Sequence, residues 1–89
     1  MTFKEAVLDW YEEIQSPHVK KSMTRFLERA DSNPRLWHLA EQLVLTKYEK
    51  ETGDIVGRPD WKKIITWFKA NGPVFIKILM SVLSIIALL

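Results

Sequence analysis

Residues 73–89 contain one charged side chain, Lys77, and nothing charged follows it. Within 74–89 stand four Ile, two Val and five Leu or Met. A run this apolar exceeds what a surface helix can leave to water. It has to be covered by the rest of the chain, by a second copy, or by lipid. An 89-residue chain has few other elements with which to surround it. A membrane-spanning helix takes roughly 20 apolar residues, with about 17 at the lower end. Length therefore admits a span without requiring one.

The flanking charge favours lipid. Residues 1–59 carry nine Lys or Arg against ten Asp or Glu, a net of −1. Residues 60–89 carry Lys62, Lys63, Lys69 and Lys77 against Asp60 alone, a net of +3. Trp61, Trp67 and Phe68 interleave with Lys62, Lys63 and Lys69, the pattern of an interfacial helix with aromatics at headgroup level and Lys toward anionic lipid. Lys77 can snorkel to the same surface. Basic residues before the apolar segment and none after it place the N-terminal part on the cytoplasmic or interior side of a single-pass anchor. Met1-Thr2-Phe3-Lys4-Glu5 lacks the basic-then-apolar order of a secretory signal, so targeting information is expected at the other end.

The remainder reads as helices. Thr2 with Glu5 fits a capping box, and Phe3, Ala6, Val7, Trp10, Tyr11 and Ile14 then recur at spacings of three and four, predicting a helix to about Gln15. Ser16-Pro17 ends it and opens a second helix whose apolar stripe is Val19, Met23, Phe26, Leu27 and Ala30. Asn33-Pro34 repeats the device. Leu36, Trp37, Leu39, Ala40, Leu43, Val44 and Tyr48 give the third helix a wide apolar face to about Thr52, which predicts a central position, and Gly53 suits its end. Residues 53–59 form a loop. Asp60 caps a short helix, Trp61 to Ala70, with Trp61, Ile64, Ile65 and Phe68 on one side. No stretch alternates as a half-buried strand does.

The expected fold is all-α: a three-helix bundle over 1–52, a loop over 53–59, a basic interfacial amphipathic helix over 60–72, and a hydrophobic, transmembrane anchor over 73–89. Composition agrees with a folded chain, since 47% of residues are hydrophobic and 27% charged.

Enzyme chemistry has no foothold in the sequence. There is no Cys, hence no disulfide, thiolate metal site or cysteine nucleophile. His18 and His38 fall on different helices, and neither has a metal-ligand partner at the spacing of an H-E-x-x-H motif. With three Gly there is no phosphate-cradling loop, and no G-x-S-x-G nucleophile elbow. Glu12 and Glu13 are adjacent and point about 100° apart on a helix, so they do not share a site. No catalytic residue, metal or cofactor is expected.

Two patterns point to binding. Lys77, Ser81 and Ser84 make a narrow polar stripe on the apolar segment, which fits a helix–helix seam, a pore lining, or hydroxyls bonded to their own helix. Lys20, Lys21, Arg25 and Arg29, with Arg35 nearby, form a basic patch around the second helix; phosphate contact is one reading, solvated i,i+4 pairing another, and no recognition signature favours nucleic acid. The expected function is non-enzymatic: holding a helical interaction domain at a lipid bilayer, as a homo-oligomer or part of a larger assembly such as a minor membrane component of a virus or phage. The alternatives are a holin-like or toxin-like permeabilising protein, a soluble helical oligomer that buries its C-terminal helices, and a membrane-tethered DNA binder. No small-molecule substrate is expected.

Overall fold

The computed structural model describes residues 1–88 and is all-helical, with five helices and no strand among the described residues. They are α1 (Phe3–Glu13), α2 (Pro17–Ser32), α3 (Arg35–Thr52), α4 (Trp61–Lys69) and α5 (Gly72–Leu88). Leu89, the last position of the expected anchor, lies outside the described residues.

Helix ends follow short-range chemistry. The Glu5 amide donates to Thr2 Oγ1 at 3.1 Å while the Thr2 amide donates to Glu5 Oε1 at 2.9 Å, the reciprocal box the sequence predicts. Ser16 Oγ accepts from the Val19 amide and Pro17 occupies the first helical position of α2. Asp60 Oδ1 accepts from the Lys63 amide at 3.3 Å. Gly53 closes α3 with φ +76°, a left-handed conformation that costs glycine no Cβ clash, and its amide donates to the Glu49 carbonyl. Several boundaries differ by one or two residues, among them the end of α4 at Lys69 and the start of α5 at Gly72. α1 ends at Glu13 because Ile14 is already extended, and α3 begins at Arg35, with Asn33 Oδ1 accepting from the Arg35 amide.

α4 and α5 are separate helices bent by 110°. Asn71 makes the corner: its side-chain amide donates to the Trp67 carbonyl at 3.0 Å, and its own carbonyl accepts from the Val74 and Phe75 amides. Pro73 falls in the first turn of α5, where a missing N–H leaves nothing unsatisfied.

Packing joins the two ends of the chain. α1 lies against α4, and α5 lies against α2, α3 and α4. The wide apolar face of α3 meets α2 and α5, while the most apolar helix, α5, touches more of the fold than a detached tail would. On α5, Phe75, Leu79 and Val82 recur at i, i+4 and i+7 and are wholly removed from water. Phe75 packs edge-on against Trp10 at 4.8 Å and Phe68 at 5.4 Å between ring centroids, joining α5 to α1 and α4. A second aromatic chain runs from Trp61 through Phe3 and Trp37 to Phe26, linking α4, α1, α3 and α2. No polar or charged residue is buried among the described residues.

The whole measures 32 × 31 × 21 Å, a slab about two helix diameters thick. In such a slab each helix keeps an outward side, and α5 is no exception.

Two outcomes test this packing. Leu79→Ala is expected to lower unfolding free energy by about 3 kcal/mol, the usual cost of a fully buried leucine, read from urea denaturation followed by circular dichroism. A change under about 1 kcal/mol would mean Leu79 is not in a packed core. The second concerns acid. The hydrogen bonds from Thr2, backbone first and then side chain, hold the Glu5 carboxyl below its ordinary range. A depressed folded-state pKa gives stability that is complete above the ordinary carboxylate pKa and lost as pH falls through the lower folded value. The N-terminal turn of α1 should therefore loosen as pH falls, and Glu5→Gln, which removes the titrating carboxyl, should flatten that dependence when α1 amide shifts are followed by NMR.

Candidate interaction surface

α4 is sharply two-sided. Trp61, Ile64, Ile65 and Phe68 are buried, while Lys62, Lys63 and Lys69 are exposed. Of the six residues that the sequence groups at a membrane interface, Trp61 and Phe68 face the core. Trp67 is half-buried, edge-on to Tyr48 at 5.7 Å and to Phe68 at 4.8 Å. Lys69 reaches across to α1, its Nζ donating to Glu13 Oε2 at 2.8 Å. Lys62 and Lys63 stay free to solvent. The aromatic side of α4 thus serves the core, and the basic side alone faces out.

The stripe on α5 is outward. Lys77, Ser81 and Ser84 are all exposed. Ser81 Oγ donates to the Lys77 carbonyl at 2.8 Å and Ser84 Oγ to the Met80 carbonyl at 3.1 Å, so both hydroxyls are satisfied within their own helix. Around them lie Ile76, Met80 and Ile85, which together border a shallow groove of roughly 550 Å³. Ile85 is 44% exposed. The outward side of α5 is consequently a polar seam bordered by aliphatics, Ile85 exposed and Ile76 and Met80 half-buried, and Lys77 is its one charge.

The basic patch on α2 divides. Lys21, Arg25 and Arg29 are exposed along one side of the helix, at i, i+4 and i+8. Lys20 turns to the other side and stacks on the Tyr11 ring, 4.7 Å from its centroid, where Tyr11 also shares a 2.6 Å hydrogen bond with Thr24. Lys20 thereby ties α2 to α1 and leaves the patch. Arg35 is exposed at the start of α3. Among the described residues the ion pairs are Lys47–Glu51 and Lys69–Glu13, so Lys21, Arg25, Arg29 and Lys77 carry no paired carboxylate. The Lys47 ammonium, donating at 2.7 Å and adding its charge, holds the Glu51 carboxyl below its ordinary range.

What the sequence could not show is that the α2 patch and the apolar α5 meet. Arg25 and Arg29 border a groove of roughly 400 Å³ together with Met80, Leu83, Ser84 and Ala87. Tertiary packing alone creates that neighbourhood, and no spacing within either segment signals it. A further groove of roughly 330 Å³ lies under the 53–59 loop, which Glu49 pins by accepting from the Val56 amide at 2.8 Å. Asp54, Arg58, Asp60 and Lys63 border it beside the fully projecting Ile55. Both histidines are exposed, and among the described residues no three His, Cys, Asp or Glu gather as metal ligands do.

No single described helix is long and apolar enough to cross a membrane; α4 and α5 together meet the length and composition, across their 110° bend. The chain matches no protein-family model, curated protein or solved structure.

Since both α5 hydroxyls bond their own helix, the double variant Ser81→Ala/Ser84→Ala should shift unfolding free energy by no more than about 0.5 kcal/mol, measured by urea denaturation. A larger loss would show that these serines hold something other than their own backbone.

Proposed function

We propose that this chain is a non-enzymatic interaction protein that works at a membrane surface, with α5 lying on the bilayer and the other helices holding it there. The observation that carries this reading is the two-sidedness of α5. Its Phe75, Leu79 and Val82 are inside the fold, while Ile85 is exposed on the side that carries Lys77, with Ile76 and Met80 half-buried at its edges. Outward aliphatics flanked by a lysine suit the boundary between headgroups and acyl chains, where an apolar face sinks a few ångströms and an ammonium stays in the headgroup layer. The remaining surface, α1 and the outer side of α3, is then left for a protein partner or a second copy.

A single-pass anchor with the N-terminal helices on the cytoplasmic side is the second reading, favoured by the near absence of charge in α5 and by the α4–α5 pair meeting the span criteria together. It requires α5 to leave the fold, which strips the cover from Trp10 and Phe68. Surface binding keeps that core intact.

Flotation of the full chain with liposomes, followed by an alkaline carbonate wash, separates the readings. The chain is expected to float and then be released by carbonate. Retention after the wash would favour α5 as a span. Failure to float, with the chain in solution as a fixed complex, would favour a soluble helical oligomer. Release of a dye trapped in the liposomes would favour a permeabilising protein. Ile85→Glu, a change at the exposed aliphatic, should weaken flotation without changing the helical circular dichroism.

A further inference from the structure

Arg25 and Arg29 on α2 share a groove with Met80, Leu83 and Ala87 of α5. Arg25 also borders the neighbouring groove with Lys21, and Met80 and Ser84 also border the one with Lys77. The three grooves therefore form one continuous face. Its cations are Lys21, Arg25, Arg29 and Lys77, and its single acid is Glu28. None of the four cations is in an ion pair, because the pairs among the described residues involve Lys47 and Lys69.

We infer that this face selects anionic lipid, with Lys21, Arg25 and Arg29 taking acidic headgroups while the adjoining α5 aliphatics rest on the acyl boundary. The inference builds on the membrane reading above and names the lipid class. Guanidinium groups present several donors to phosphate oxygens in a fixed fork, and each basic side chain near an anionic surface adds to binding. The apolar floor argues against nucleic acid, since a phosphodiester backbone offers aliphatic side chains nothing to rest on. The strip also continues past Met80 and Ser84 to Ile76 and Ile85. A bilayer covers all of it at once.

The test uses the full chain in cosedimentation with two vesicle types, phosphatidylcholine alone and phosphatidylcholine mixed with phosphatidylglycerol. Binding to the mixed vesicles should be at least about tenfold tighter and should fall with added salt. Arg25→Glu/Arg29→Glu should remove the preference. Lys50→Glu/Arg58→Glu, the same change in net charge at exposed positions elsewhere, should keep it. Equal binding to both vesicle types would overturn the headgroup inference and leave the membrane reading standing. Binding to neither would overturn both. Equal loss in the two double variants would assign the preference to net charge and overturn the site. Displacement from mixed vesicles by duplex DNA, with tighter binding to the duplex, would reassign the cations to nucleic acid and overturn the lipid assignment.

Discussion

A helix as apolar as α5 must have its hydrocarbon taken from water, and four other short helices can do that on one side only. The rest of the structure follows from that limit. Phe75, Leu79 and Val82 take the covered side, and Phe75 becomes the point where α1, α4 and α5 meet through Trp10 and Phe68. Aromatic pairs join α1 to α3, α4 and α5, and α2 to α3, combining large buried area with tilted or edge-on ring geometry, whereas among the described residues α5 meets α2 and α3 without an aromatic pair. Among the described residues no polar or charged residue is buried to fix register, which leaves that to the shapes of the packed side chains.

The corner at Asn71 makes this possible. A straight continuation would carry α5 away from α2 and α3, whereas a 110° bend returns it across them. Asn71 satisfies groups on both helices, and Pro73 asks for no donor where none is needed. The same bend orients α4 so that its aromatics point into the core and its lysines out, with Lys69 fastened to Glu13. The functional consequence is that the outward side of α5 and the outward side of α2 become one surface. One contributes aliphatics and the other contributes unpaired cations.

Helix positions were legible from the residues because caps and periodicity act over a few positions. Thr2 with Glu5, Ser16-Pro17, Asp60 and Gly53 each mark an end where the structure has one. Which helix meets which was not legible. α1 against α4 and α5 against α2 are contacts across most of the chain, and hydropathy reports how apolar a segment is without saying what covers it. Trp61 and Phe68 illustrate the ambiguity, since an aromatic beside lysines reads alike at a lipid interface and on the inner side of an amphipathic helix. Lys20 and Lys21 illustrate another: neighbours in sequence, they point to different sides of α2, and only one joins the basic face.

The most direct measurement is amide hydrogen exchange across α5 in the full chain, in buffer without detergent. If α5 is a core helix, the amides from Phe75 to Val82 exchange only with global unfolding, at the same free energy as the slowest amides of α2 and α3. Exchange of that segment well before α2 and α3 would mean that α5 opens on its own, and would contradict a fold built around its covered side.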